Sequence, residues 1–149
     1  MENRITRVLS GTLATILLSS AASAAEISFY ENNSCRGRPA FTYYGEASVR
    51  ESCKTNGARC RNDVARSVRV TNWNRTLSIF VYDDPNGRST DDEGAAHLRD
   101  NPKYVAGNSQ CFESFERDIN DWRRSPEIIQ FYRRNNGLDG KVSYIYIRY

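Results

Sequence analysis

Short segments in which polar and apolar residues alternate recur along most of the chain. The clearest spans residues 142–149, where Ile145 and Ile147 alternate with Tyr144 and Tyr146. Other segments rich in β-branched and aromatic residues are 26–30, 39–44, 47–52, 67–71, 77–82 and 127–133. Side chains of a strand point alternately to its two faces, so a two-residue period predicts strands. No segment has a long helical period, and the chain is therefore predicted to form an all-β sandwich.

Two segments do not show this alternation clearly. Residues 88–104 are polar and charged, and they are predicted to form a loop with one helical turn near residues 95–99. Within this loop, the acidic cluster Asp91-Asp92-Glu93 and the single histidine, His97, are expected to face solvent. Residues 111–119 are compatible with either a strand or a short helix.

The first 24 residues have the pattern of a secretory signal peptide. Arg4 and Arg7 precede a short apolar run, and Ala22-Ser23-Ala24 offers small residues for cleavage. The apolar run is too short to span a bilayer comfortably, which favours cleavage over a membrane anchor. We therefore expect an exported protein, periplasmic or secreted, with one domain over residues 25–149 and no transmembrane segment in the mature chain.

The charge balance argues against nucleic acid as a partner. The chain has 21 basic and 18 acidic residues, a net charge of +3. Loss of residues 1–24 removes Arg4, Arg7 and Glu2 and leaves +2, whereas a nucleic-acid-binding domain carries a strongly basic face. Most of the basic residues are arginines, which suit a surface rich in ion pairs better than one specific binding patch.

Cysteine usage agrees with export. The four cysteines all follow the signal peptide, at Cys35, Cys53, Cys60 and Cys111. An even number in an exported chain predicts two disulfides, and three connectivities are possible. Zinc is disfavoured because Cys53 and Cys60 do not have a usual ligand spacing and His97 is distant in the sequence.

A short motif occurs twice. Residues 62–67 and 120–125 both read Asn-Asp-x-x-Arg-Ser, with a cysteine nine residues before each Asn. The residues that the two copies share are Asn62, Arg66, Ser67, Asn120, Arg124 and Ser125, together with Asp63 and Asp121. A repeat of about 58 residues indicates one structural unit used twice.

The first copy resembles the βγ-crystallin family, in which two Greek key motifs pack into a sandwich. The family's motif opens with an aromatic residue, six further residues and a glycine, and Tyr30 to Gly37 has this spacing. Ser67 matches a later serine that ties down the folded hairpin. Gly37 would supply a positive φ where the hairpin folds over, and Ser67 would bond to its backbone.

The second copy fits the family less well. Its opening matches at Tyr82 and its serine at Ser125, but Gly87 comes too early and Ser89 stands where the glycine is expected. The second hairpin is therefore expected to bend differently. The resemblance implies a first motif over about residues 26–73, a second over about 76–133, and an extra C-terminal strand over 142–149.

In this family the repeated loop often binds calcium. By resemblance, Asp63 and Asp121 match the ligand at the second position of the loop. The fifth position, normally a hydroxyl, is Arg66 in one copy and Arg124 in the other. An arginine supplies no oxygen and opposes a cation, and it would pair instead with Asp63 or Asp121. We therefore expect calcium binding to be weak or absent, and no other cofactor.

Catalytic chemistry has little support in the sequence. No spacing ties His97 to a nucleophile, and there is no Gly-rich phosphate loop. The favoured prediction is a non-catalytic exported protein of a structural or stress-related kind. The alternative is a protein-binding module, such as an inhibitor or immunity protein, that acts through the polar segment 87–108.

Overall fold

The structure, a computed structural model, describes residues 24–45, 47–89, 92–99, 108–116, 128–133 and 137–149. These residues form nine strands: β1 (Glu26–Tyr30), β2 (Phe41–Tyr44), β3 (Val49–Ser52), β4 (Ser67–Thr71), β5 (Leu77–Tyr82), β6 (Glu93–Leu98), β7 (Ser109–Phe112), β8 (Ile128–Arg133) and β9 (Tyr144–Arg148). A single 3-10 turn over Asn33–Cys35 follows β1. The prediction of an all-β fold is confirmed.

The strands form two antiparallel sheets that exchange strands. The sheet orders are β2-β1-β4-β7 and β3-β9-β5-β6-β8. In the first sheet β1 lies between β2 and β4, and in the second β5 lies between β6 and β9. We group the strands into a first set, β1 to β4, and a second set, β5, β6, β7 and β9. The third strand of each set lies in the opposite sheet, so that β3 pairs with β9 and β7 pairs with β4. Two sets of four strands are therefore connected alike and interlocked.

The extra strand is not the one that the sequence predicts. The C-terminal strand β9 lies inside the five-stranded sheet, paired with β3 on one side and β5 on the other. It occupies the place in its set that β4 occupies in the first. The additional strand is β8, which pairs with β6 at the sheet edge. An insertion between the third and fourth strands of a set is invisible to a pattern that is read strand by strand.

The core lies between the two sheets and explains the alternation in the sequence. Inward-facing side chains of alternate strand positions have almost no exposed surface: Ile27, Phe29, Val68, Val70, Phe112, Leu77, Ile79, Val81, Leu98, Ile145 and Ile147. Full burial of one such side chain contributes about 1.5–3 kcal/mol, so the apolar periodicity is a principal determinant of this fold.

Strand β6 corrects the predicted loop and helical turn between residues 88 and 104. Its residues pair along the whole of β5, although Gly94, Ala95 and Ala96 have poor strand propensity. Small side chains are needed there: a Cβ added at Gly94 would lie 3.1 Å from Leu138 Cδ2 and 3.2 Å from Val81 Cγ2. Tertiary packing thus overrides local preference. Residues 109–112 of the ambiguous segment also form a strand, β7.

Two polar residues expected in solvent are instead packed into the sheet region. Asp92 has no exposed surface, and its Oδ1 accepts a hydrogen bond from the Tyr132 hydroxyl at 3.2 Å. His97 lies on β6 and is half-buried, with its Nδ1 2.9 Å from Ser78 Oγ and its ring edge-on to Phe80. Burial and the charge of Arg99 lower the pKa of His97.

The structure selects one of the three disulfide connectivities. Cys35 pairs with Cys111, which links the turn after β1 to β7, and Cys53 pairs with Cys60, which closes the loop after β3. The long-range bridge joins the two interlocked strand sets, while the short one remains within the first. All four cysteines are paired.

Candidate functional site

Two equivalent loops lead into the fourth strand of each set. We call residues 61–66 the first loop and residues 138–143 the second loop. Tyr30 of β1 faces Ser67 of β4, and Tyr82 of β5 faces Tyr144 of β9. Since Ser67 and Tyr144 directly follow their loops, the two loops correspond position by position.

The same backbone hydrogen bond closes each loop onto its neighbouring strand. Arg66 N donates to Tyr30 O at 2.8 Å, and Ser143 N donates to Tyr82 O at 2.8 Å. Arg66 and Ser143 therefore occupy the same place, the last of the six residues in each loop, which corresponds to the fifth position of the motif at residues 62–67. Because one carries a guanidinium and the other a hydroxyl, the two loops differ chemically at the position where the sequence analysis expects a metal ligand.

The two loops also bond to each other reciprocally. Asp63 N donates to Val142 O at 3.1 Å, and Gly140 N donates to Ala65 O at 2.9 Å. Asp63 and Gly140 stand at the same position of their loops, and both have positive φ, +56° and +79°. A positive φ is uncommon outside glycine, with Asp and Asn among the residues that best tolerate it. The shared conformation shows that the loops have a common backbone geometry.

Oxygen atoms from both loops converge beside Asp63. Ser143 Oγ lies 3.3 Å from Asp63 Oδ1 and 3.4 Å from the Lys141 carbonyl oxygen. Asn62 Nδ2 donates to Asp63 Oδ2 at 2.5 Å, and Asn62 Oδ1 is buried without a hydrogen-bond partner. A carboxylate, a hydroxyl, a carbonyl and an unsatisfied amide oxygen are the ligand types that calcium prefers. These oxygen atoms are of the types that bind calcium, but they are fewer than the six to eight ligands that a calcium ion takes.

At the equivalent position, beside Gly140 of the second loop, lies the positively charged side chain of Arg66. Gly140 contributes no carboxylate there, and a Cβ on Gly140 would lie 3.1 Å from Arg66 Nη2. The Arg66 guanidinium therefore lies directly against the second loop. Arg66 does not form the ion pair with Asp63 that was one of its two predicted pairings, and the other predicted partner, Asp121, lies outside the described residues.

The second residue of the second loop, Asp139, has a structural role. Asp139 Oδ1 accepts a hydrogen bond from Phe115 N at 2.9 Å, and its Oδ2 accepts one from Ser114 Oγ at 2.8 Å. Asp139 N in turn donates to Glu116 Oε1 at 2.9 Å. Burial raises the pKa of Asp139 despite these bonds. This carboxylate fixes the segment after β7 rather than facing Asp63.

Ser67 and Gly37 act as the sequence predicts. Ser67 has no exposed surface, donates to Asn32 O at 2.6 Å and accepts from Cys35 N at 3.0 Å. Gly37 has a φ of +83°. The hydroxyl thus satisfies two backbone groups of the folded hairpin that would otherwise lose their partners.

The short disulfide connects both loops to β3. Cys60 precedes the first loop, and Cys53 N donates a hydrogen bond to Ser143 O at 2.8 Å. The Cys53–Cys60 bridge therefore restrains the separation between the two loops at the Asp63–Ser143 contact. No sequence motif indicated this coupling.

The second copy of the sequence motif lies outside the described residues. This applies to Asn120, Asp121, Arg124 and Ser125. The structural partner of Asp63 is instead Ser143, which sequence analysis did not select. The sequence does contain a signal for Ser143: Asp139-Gly140 is a turn dipeptide, and Ser143 directly precedes an alternating strand, as Arg66 does. Comparing the residues that precede each predicted strand would have identified Ser143, whereas comparing segments of identical sequence identified residues 120–125 instead.

The described ranges contain no group of three or more His, Cys, Asp or Glu side chains close enough to hold a metal ion. No helix in these ranges is long and apolar enough to cross a membrane.

Comparison with protein-family models, with curated proteins and with solved structures finds no match to this chain.

Proposed function

We propose that this is an exported, non-catalytic β-sandwich protein of the βγ-crystallin type, with a structural or stress-related role and at most one weak calcium site. The observation that carries the proposal is the reciprocal bonding of the two loops at Asp63–Val142 and Gly140–Ala65. The exchange of third strands between the sheets also supports two Greek key motifs. Two disulfides and a signal-peptide pattern support export.

Calcium binding would be confined to one of the two loop positions. Asp63 Oδ1, Ser143 Oγ and the Lys141 carbonyl would hold the ion, with waters completing its shell. The other position carries Arg66 and Gly140, which offer a positive charge and no side-chain oxygen. One carboxylate and an adjacent guanidinium favour a dissociation constant on the order of 10⁻⁴–10⁻³ M.

The alternative is a protein-binding module that acts through residues 87–108. Residues 93–98 of that segment form β6, in which Gly94, Ala95, Ala96 and Leu98 are buried and therefore not available to a partner. Residues 90, 91 and 100–107 of the segment lie outside the described residues. A partner surface within the segment would therefore have to use residues outside β6.

The test is isothermal titration of calcium into the purified, oxidised protein, with thermal unfolding measured in parallel. Weak binding at a stoichiometry of one is expected, and Asp63→Asn and Ser143→Ala should each reduce it strongly. Asp84→Asn, which alters a carboxylate in another turn, should leave binding unchanged. No heat and no change in melting temperature would remove calcium from the proposal and leave the loops purely structural.

A further inference from the structure

An aromatic row runs across the outer face of the five-stranded sheet. The Tyr146 and Phe80 rings stack with centroids 5.4 Å apart, and Tyr82 and Tyr144 meet at 6.0 Å with ring planes 68° apart. The Arg50 guanidinium lies 4.5 Å above the Tyr146 ring. Stacking on a ring fixes the plane of a guanidinium while its N–H groups remain able to bind.

These side chains border an open cleft of about 260 Å³. Its lining residues are Arg50, Tyr82, Asn86, Gly87, Tyr144 and Tyr146. Gly87 packs directly on the Tyr144 ring, because an added Cβ would lie 2.7 Å from two ring carbons. The turn that carries Gly87 is held by Asp84, whose Oδ1 accepts a hydrogen bond from Asn86 N at 2.7 Å. One wall of the cleft is therefore a fixed turn, and another is formed by Arg50 of β3.

The cleft presents polar groups that the protein does not satisfy. Within the described ranges, the hydroxyls of Tyr82 and Tyr144 and the side-chain amide of Asn86 make no hydrogen bond. Arg50 interacts with the Tyr146 side chain but forms no ion pair there. Half-buried phenols usually place their hydroxyl groups on a partner or in water. A few convergent polar groups on an aromatic surface are typical of small-molecule sites.

We propose that this cleft binds a single sugar unit that carries a carboxylate, such as a uronic acid residue at the end of an extracellular glycan. The planar Arg50 guanidinium matches a carboxylate in bidentate geometry. Phenol rings suit the apolar C–H groups of a pyranose, and the Tyr82, Tyr144 and Asn86 polar groups suit its hydroxyls. The cleft volume lies just below the roughly 300–1,000 Å³ of sites for drug-sized ligands, which fits one sugar ring rather than several.

The inference does not depend on the calcium site. Arg50 and Tyr144 belong to β3 and β9, whereas the oxygen cluster lies in the loops beside Asp63 and Ser143. Each can therefore fail alone, and the two sets of variants do not overlap.

The test is a titration of D-glucuronic acid into the purified, ¹⁵N-labelled protein, followed by amide chemical shifts. D-glucose and acetate serve as probes of the sugar ring alone and the carboxylate alone. The expected result is weak, saturable binding of glucuronic acid that shifts the amides of Asn86, Gly87 and Tyr144, with both other probes binding less tightly. Arg50→Gln should weaken the binding about tenfold, the effect expected for loss of one charge-assisted contact.

Arg148→Gln is the matched control. Arg148 is an exposed arginine on β9 that does not line the cleft, and its loss should leave binding unchanged. Tyr82→Phe removes only a hydroxyl and keeps the ring, so it tests the polar contacts in a protein that should still fold. Acetate binding as tight as glucuronic acid would reduce the site to an adventitious anion only and overturn the proposal. Absence of shifts at the cleft, or equal weakening by Arg148→Gln, would also overturn it.

Discussion

Ser143 Oγ lies 3.3 Å from Asp63 Oδ1, joining two loops that are 80 residues apart in the sequence. The contact exists because the fourth strands of the two sets begin side by side, each preceded by a loop of the same backbone geometry. It places a hydroxyl and a carboxylate together on one side, while Arg66 and Gly140 meet on the other. The pair is thus half of a two-fold arrangement whose second half, at Arg66 and Gly140, has no side-chain oxygen.

Side-chain oxygens introduced at residues 66 and 140 should create a second calcium site. In the double variant Arg66→Thr with Gly140→Asp, a hydroxyl and a carboxylate replace the guanidinium and the glycine. Asp63 adopts a φ of +56° at the equivalent position, so an aspartate at residue 140 is tolerable there. Calorimetry should show the stoichiometry rise from one to two calcium ions per chain. The control, Arg66→Thr with Gly140→Asn, lacks the added charge and should bind the second ion much more weakly; equal binding by both would contradict the loop equivalence.

The two disulfides should differ in their contribution to stability. The Cys35–Cys111 bridge spans 76 residues and Cys53–Cys60 spans 7. From loop-closure entropy, we expect Cys35→Ala with Cys111→Ala to cost about 4–5 kcal/mol and Cys53→Ala with Cys60→Ala about 2 kcal/mol. Urea unfolding of the two double variants measures the difference. A larger cost for the short bridge would show that the loop-closure argument does not apply here.

The short disulfide should also matter for calcium. Cys53 N holds Ser143 O and Cys60 precedes the first loop, so the Cys53–Cys60 variant should bind calcium more weakly than the oxidised wild type. The Cys35–Cys111 variant is the control because neither cysteine bonds to Asp63 or Ser143, although Cys35 N bonds to Ser67 beside the first loop, and it should retain wild-type affinity while folded. Titration below the unfolding temperature of both variants separates this effect from global stability, and equal affinities would exclude the coupling.

Ser67→Ala should destabilise the fold by about 1–3 kcal/mol, because it leaves a buried amide and a carbonyl without their partner. The affected groups are Cys35 N and Asn32 O, both in the folded hairpin after β1. Ser109→Ala, at an exposed strand position, should change the free energy of unfolding by no more than about 0.5 kcal/mol. Chemical unfolding of both variants checks the contrast, and similar losses would argue against the specific role of Ser67.

Stability should fall in mildly acidic solution because of His97. Burial and Arg99 lower its pKa, so the folded protein binds a proton less readily than the unfolded chain. The free energy of unfolding therefore decreases as the pH falls below about 6.5, the ordinary histidine pKa, until the folded histidine is itself protonated. His97→Gln should lose this part of the pH dependence. A stability difference between variant and wild type that stays constant across this range would contradict the prediction.

Much of the fold could be predicted from the sequence because strand periodicity and turn signals are local. The strand over residues 67–71 and the strand over residues 77–82 agree with the structure in both bounds. Strand β6 is not predicted because Gly94, Ala95 and Ala96 have poor strand propensity, and at Gly94 the close approach of Leu138 and Val81 leaves no room for a larger residue. The candidate site was half predicted: Asp63 was selected, but its partner Ser143 was not.

The sequence by itself determined the all-β class, the number of disulfides and the role of Ser67, since each depends on residue type and short spacing. Only the tertiary structure decided that β9 is the fourth strand of the second set and that β8 is the insertion. It also decided which loop faces Asp63. Strand pairing joins residues far apart in the chain, and a serine becomes a partner of Asp63 only when two strand ends are brought side by side by sheet packing.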